Sequence, residues 1–237
     1  AIENSTGDII VCSDAGCVLD KNWINNITKP FTDLRIDVVA GYYKGLSKDI
    51  FQKCLIPYVL VMPDRVDSAN FLPASRSMAF TKSIWEKVGG FPEKYSHNED
   101  FVLANKLKKI NARMVFQKNA LVYWIPRRNI KEAYVMFFRF ALGDAEAKIF
   151  RPKVLLIFIR YLLGIAILSV AITFKLSFIL SLLYFILFVY IIWAIYKNYK
   201  YVLDIRALFI LPILQLISDI AVINGTILGL LKYGIQK

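Results

Sequence analysis

Asp14 stands in Ser13-Asp14-Ala15-Gly16, directly after the apolar run Asp8–Cys12, Asp-Ile-Ile-Val-Cys. A short run rich in β-branched residues reads as a buried strand. The C-terminal end of such a strand is where open α/β sheets place ligands. Small neighbours around Asp14 leave room for a diphosphate and a divalent cation. Mg²⁺ or Mn²⁺ takes one or two carboxylates and completes its shell with phosphate oxygens, and it neutralises a departing diphosphate. Asp-Ala-Gly is equally ordinary turn chemistry. Glu99-Asp100 is the second candidate. Two acids at a helix start favour the helix dipole, or one of them takes a proton from a hydroxyl nucleophile while the other orients it. His97 stands close enough in sequence to assist, or is simply solvated. Trp124, Arg127 and Arg128 form a third group. Arginine grips phosphate bidentately, and a basic belt beside a membrane reads the same way.

These groups need a scaffold, and the hydrophobic pattern supplies one. After the first strand, Asp20 is placed to cap a helix carrying Trp23, Ile24 and Ile27. Ile36–Tyr42 reads as a strand, Asp49–Val61 as a helix interrupted by Pro57, and residues 62–75 as a loop. Met78–Phe80 is a short strand, Thr81 caps a helix through Val88, and Gly89-Gly90-Phe91-Pro92 stops it. A helix from Glu99 to Ile110 and strands over Ala112–Gln117 and Ala120–Trp124 complete the segment. Alternating strands and helices argue for an α/β domain.

From residue 130 the solvent changes. Ile130, Ala133, Tyr134, Phe137, Phe138, Ala141, Leu142 and Ala145 make one apolar helical face. Residues 129–152 therefore read as an amphipathic interfacial helix, or as a helix packed on the α/β domain. Three apolar segments follow at 154–174, 176–196 and 207–231, a membrane domain of two to three helices over residues 153–237. The second has no charge and is long enough to cross a hydrocarbon core of about 30 Å. Arg160 lies near the start of the first and is expected to snorkel to the head groups. Asp219 lies inside the third. A mid-bilayer charge costs about 2.5–3.5 kcal/mol, so Asp219 faces protein or water, or this segment does not fully span.

The chain has 237 residues, 57% of them hydrophobic, and a formal net charge of +12. Residues 1–150 carry 21 Lys/Arg against 16 Asp/Glu, and residues 151–237 carry 9 against 2. Positive charge is densest beside the apolar segments, which favours membrane lipids over nucleic acid as partners. Arg151, Lys153, Lys197, Lys200 and Arg206 put both flanks of the first pair of segments on the cytoplasmic side. Cys12, Cys17 and Cys54 make no metal-ligand spacing, leave one cysteine over in any disulfide scheme, and read as reduced thiols. The chain opens on Ala1-Ile2-Glu3-Asn4, with neither an initiator Met nor a signal peptide, and reads as a fragment that has lost an N-terminal portion.

The order of the pieces says more than any one of them. Ser13-Asp14-Ala15-Gly16-Cys17 followed by Leu19-Asp20-Lys21-Asn22-Trp23 resembles the metal-binding region of inverting family 2 glycosyltransferases of the GT-A fold. Ala74-Ser75-Arg76-Ser77-Met78-Ala79-Phe80, then Trp85 to Glu93, is similar to that family's acceptor-side segment. His97-Asn98-Glu99-Asp100 ahead of a helix resembles its Glu-Asp catalytic motif. Trp124-Ile125-Pro126-Arg127-Arg128 and Phe137 to Asp144 resemble the interfacial region of its membrane-bound members.

The resemblance implies a partial GT-A, Rossmann-like mixed sheet over residues 1–128, followed by transmembrane helices. It makes Asp14 the contact for donor diphosphate and metal, and Asp100 the general base with Glu99 beside it. Ser75, Arg76, His97, Arg127, Arg128 and Arg139 become acceptor or phosphate contacts. The family's Asp-x-Asp motif usually has a second acid, where this chain has Gly16. The family's nucleotide-binding first half would precede Ala1. The expected enzyme is a hexosyltransferase at the plasma membrane, serving cell-envelope polysaccharide. It uses Mg²⁺ or Mn²⁺ to transfer sugar from a nucleotide-diphosphate donor to a hydroxyl of a lipid-linked or glycan acceptor at the cytoplasmic face. Transfer to polyprenyl phosphate and a non-catalytic membrane anchor are the competing readings. A transporter predicts more intramembrane charge than Arg160 and Asp219 supply.

Overall fold

A computed structural model describes residues 2–234. The chain forms two compact units, one from residues up to Lys48 together with Ile56–Pro126, the other from Asp49–Leu55 and everything from Arg127 on.

The first unit is a five-stranded mixed sheet with helices. Its strands are β1 (Ile9–Cys12), β2 (Cys17–Leu19), β3 (Val38–Gly45), β4 (Met78–Thr81) and β5 (Met114–Trp124), in spatial order β1-β4-β3-β5-β2. Only β3 and β5 pair in parallel. The β1/β4, β3/β4 and β2/β5 pairs are antiparallel. The central strand β3 reads Val-Val-Ala-Gly-Tyr-Tyr and is buried over its first six residues, the pattern of a strand covered on both faces. Val38, Met78, Phe80, Ile84, Leu103 and Leu107 build a core between the sheet and helices α3 (Lys82–Lys87) and α4 (Glu99–Lys109). The Thr81 hydroxyl accepts from the Ile84 N–H and so caps α3. Helix α1 (Trp23–Thr28) buries Trp23 and Ile27.

Several elements differ from the pattern reading. The two strands expected around 112–124 are one, β5. Its register against β3 jumps between Gly41↔Gln117 and Tyr42↔Leu121. The unpaired residues are the exposed Lys118 and Asn119 and the buried Ala120, and the Asn119 carbonyl accepts from Asn26 Nδ2 at 2.8 Å. Helix α2 (Ile50–Val59) runs through Pro57 without breaking. Proline removes one N–H there, and the Leu60 N–H still bonds the Ile56 carbonyl at 2.9 Å. Strand β2 is too short for an alternation pattern. It forms because Cys17–Leu19 lies antiparallel to Val122–Trp124.

The second unit holds α5 (Ile130–Glu146), α6 (Pro152–Thr173), α7 (Ser177–Tyr199) and α8 (Ala207–Tyr233). The last three are long and apolar enough to cross a membrane. Asn129 caps α5, its side chain accepting from the Glu132 N–H at 2.9 Å. Helix α5 packs on a stripe of small residues along α8, Ala221, Gly225 and Gly229. A Cβ at Gly225 would strike the Phe138 carbonyl and Ala141, and one at Gly229 would strike Ala145. Small residues at this spacing let two backbones approach closely.

Arg160 has a protein partner that the sequence reading did not give it. It pairs with Asp219 of α8 at 2.7 Å and stacks over the Tyr190 ring. The Asp219 side chain is only 2% exposed and accepts from Arg160, Tyr161, Tyr190 and Gln215. Lys197 closes the network by donating to Gln215 Oε1 at 2.7 Å. Asp219 therefore faces protein, one of the options the sequence left open.

Candidate active site

The site is assembled where β1 ends and where the loop before β4 returns to the sheet. The chain leaves β1 at Cys12 and turns through Ser13–Gly16, closed by the Cys17 N–H on the Asp14 carbonyl at 3.0 Å. Ser13 Oγ donates to the Arg76 carbonyl at 3.0 Å and ties this turn to the second loop. That second loop is itself a turn, with the Ser77 N–H on the Ala74 carbonyl at 3.0 Å. Ser77 anchors it from below. Its hydroxyl, fully buried, accepts from Trp23 Nε1 at 2.9 Å and donates to the Ala120 carbonyl at 3.1 Å. Only glycine fits opposite: a Cβ at Gly41 would collide with Ser77 Oγ.

This anchoring aims Ser75 and Arg76 in fixed directions. The Ser75 N–H and hydroxyl both point to Asp100 Oδ2, at 3.2 and 3.4 Å. Asp100 Oδ1 accepts from the Phe101 N–H at 2.7 Å, at the first turn of α4. Asp100 is thus a half-buried carboxylate held by three donors. Arg76 turns the other way. Its Nε lies 3.9 Å from Asp14 Oδ2, and its guanidinium sits over the rings of Tyr43, at 5.5 Å, and Trp124, at 5.8 Å. Arg76 is 20% exposed and Asp14 is 42% exposed. The Arg76 Nε is itself buried and has no hydrogen-bond partner among the described residues.

The electrostatics follow from this crowding. Burial pushes the Tyr43 hydroxyl above its ordinary value, with Arg76 opposing and Asp100 adding to the shift. Burial, then the charge of Asp14, pushes the Cys12 thiol up to about 11. Cys17 is raised for the same two reasons, with Arg76 pulling back. Both thiols stay protonated at neutral pH, so neither is a nucleophile.

Of the residues singled out from sequence, Asp14, Ser75, Arg76 and Asp100 come together in one cluster. Glu99 is half-buried beside Asp100 at the start of α4. His97 turns to Ser96, its Nδ1 3.1 Å from the hydroxyl. Arg127, Arg128 and Arg139 belong to the second unit and are exposed there, and the Arg128 N–H donates to Glu132 at 2.9 Å. The sequence reading missed Tyr43 as a site residue. Its signal was two consecutive tyrosines, Tyr42 and Tyr43, in the buried run of β3. Among the described residues no three His, Cys, Asp or Glu side chains gather as metal ligands. Asp14 would be the carboxylate this chain offers to a divalent cation, with phosphate oxygens of a ligand and water as the other donors, which suits Mg²⁺ or Mn²⁺.

Three comparisons bear on identity. No curated protein sequence matches the chain significantly. Among solved structures, it is similar to the mannosyltransferase PcManGT from Pyrobaculum calidifontis in complex with GDP-Man and Mn²⁺, with 18% identity and a TM-score of 0.42. That alignment covers 61% of this chain and 39% of the mannosyltransferase, so this chain spans well under half of that protein's length. The motif order resembles family 2, but the family model that matches is another, glycosyl transferase family 21, over residues 1–220. That match takes in the Asp14–Arg76–Asp100 cluster and the first two apolar helices, and on it the chain belongs to glycosyl transferase family 21.

Proposed function

We propose that this glycosyltransferase moves a sugar from a nucleotide-diphosphate donor to a hydroxyl of a lipid-linked or glycan acceptor at the cytoplasmic face of the membrane, with inversion. The observation that carries the reading is the buried Arg76 Nε, which has no hydrogen-bond partner among the described residues and lies beside Asp14 over two aromatic rings. A buried donor left unpaired is costly, and a donor diphosphate is the anion that would satisfy it. Asp14 would hold Mg²⁺ or Mn²⁺ against the same diphosphate, and bound metal supplies charge neutralisation for the leaving group.

The remaining work falls to the chain. Arg76, rigid on Tyr43 and Trp124, orients the diphosphate and stabilises the charge that develops on it as the glycosidic bond breaks. Asp100 accepts the proton of the acceptor hydroxyl as that oxygen attacks the anomeric carbon from the opposite face. Ser75 and the Phe101 N–H fix the carboxylate so that its free lone pairs face the acceptor. The apolar helices keep the enzyme at the membrane, where a lipid-linked acceptor resides. The domain reading that accompanies this proposal keeps residues 1–128 as the catalytic part and 153–237 as the membrane part.

The test is nucleoside-diphosphate release from a panel of nucleotide sugars, using the full-length protein in native lipid with and without Mn²⁺ or Mg²⁺. Release with one donor, lost in Asp14→Ala and Asp100→Asn, is the expected result. Undiminished release by Asp100→Asn refutes the base assignment, and silence across the panel from folded protein refutes the transferase mechanism at this site.

A further inference from the structure

Length and composition let α6, α7 and α8 all cross a bilayer, yet contacts within the second unit set α8 apart. Helices α6 and α7 are joined by the tight turn Phe174–Leu176 and run antiparallel, so Arg160 and Tyr161 of α6 and Tyr190 of α7 reach the same Asp219 oxygen. The start of α6 and the end of α7 therefore share one end of this hairpin, its base.

Helix α8 meets that base on both sides. In its first half, Gln215 accepts from Lys197 in the last turn of α7. Near its end, Thr226, Leu230 and Tyr233 line a cavity of about 480 Å³ with Val154, Leu155 and Phe158 from the first turns of α6. Asp219, midway, touches both helices. A helix that begins beside the end of α7 and finishes beside the start of α6 has both its ends at the base. It crosses the hairpin from side to side and does not run along it.

We propose that α8 lies in the plane of the membrane within one leaflet, with α5 beside it, so that the pair forms a layer whose partner is the lipid surface. Helix α5 supports this independently. Tyr134 meets Asn224, Phe138 meets Gly225, and Leu142 and Ala145 meet Gly229, so the two helices run side by side in one direction. A spanning α8 would draw the Arg139 and Glu146 charges of α5 through hydrocarbon, where charged side chains are strongly disfavoured. An in-plane pair leaves them at head-group depth, the usual setting of amphipathic interfacial helices. Arg151, Lys153, Lys200, Arg206 and Lys232 then all lie at one membrane surface, at the start of α6, the end of α7 and the two ends of α8.

The test uses the full chain in sealed phosphatidylcholine–phosphatidylglycerol vesicles, in a Cys12→Ser, Cys17→Ser, Cys54→Ala background. Spin labels go on Leu216→Cys and Leu228→Cys, both exposed on α8, and their depth is read by oxygen and nickel-chelate accessibility. In a spanning helix these positions differ in depth by about 18 Å. A difference of less than half that supports the in-plane helix, and a larger one overturns it. Labelling by an impermeant maleimide checks sidedness with milder surface variants. Lys232→Cys should react from the same side as Leu203→Cys and opposite Lys175→Cys. Reaction of Lys232→Cys together with Lys175→Cys overturns the proposal.

Discussion

Each unit contains an Asp–Arg pair across distant elements, and the two are built to opposite ends. In the unit of long apolar helices, Asp219 and Arg160 lie 2.7 Å apart, and the carboxylate is 2% exposed and takes four donors. In the α/β unit, Asp14 and Arg76 stand 3.9 Å apart, Asp14 is 42% exposed, and the buried Arg76 Nε has no hydrogen-bond partner among the described residues. A saturated network in a low-dielectric setting is a clasp, because any missing member leaves a buried charge uncompensated. An unsaturated pair at the end of a sheet has bonding capacity left for a ligand. The contrast teaches that the same two residue types report structure or chemistry according to how many of their bonds are already used.

The comparison can be broken most directly at the catalytic end. Asp100→Asn should lower turnover by about 10²–10⁴-fold with an unchanged melting temperature, measured by diphosphate release beside thermal unfolding. Asp219→Asn should do the reverse. Removing one partner of a buried pair costs about 3–5 kcal/mol, so the detergent-solubilised protein should melt well below wild type. If Asp219→Asn leaves stability intact yet abolishes transfer, the clasp is itself part of the chemistry. Replacing Gly225 by Leu should cost about 1–3 kcal/mol by overpacking against the Phe138 carbonyl and Ala141. Thermal unfolding reads that loss as well, and wild-type stability in this variant would mean that α5 does not depend on the small-residue stripe.

The smallest effect sharpens the other side of the comparison. The Cys12 thiol, raised to about 11 by burial and then by Asp14, becomes a reactive thiolate only as pH rises toward that value. Its alkylation rate should climb at a pH well above that of a free thiol. In Asp14→Asn the midpoint should move down but stay above that of a free thiol, because burial is the larger cause. No movement at all would mean that the charge of Asp14 does not reach the interior of the turn.

Much of this was legible in the chain because it is periodic. The buried run of β3, the Thr81 cap and the three apolar helices each announce themselves within a short window. Asp14 and Asp100 were legible as carboxylates in turn-like contexts, but not as neighbours. What joins them is the turn at Ala74–Ser77: Ser75 bonds Asp100, Arg76 lies beside Asp14, and Ser77 is pinned between Trp23 and Ala120. Arg160 looked like a head-group anchor because its partner lies 59 residues away, beyond any local pattern. Strand β2 exists only through its pairing with β5, which no window of three residues can disclose.

The Arg160–Asp219 clasp also sets a timetable for the ribosome. Arg160 is synthesised 59 residues before the acid that neutralises it. At about 5–20 residues per second, Arg160 and Tyr161 wait roughly 3–12 s in the nascent chain for Asp219, and Tyr190, 29 residues before it, about half as long. The α6–α7 hairpin is therefore complete while Arg160 still lacks Asp219, and the arrival of α8 is the event that locks it.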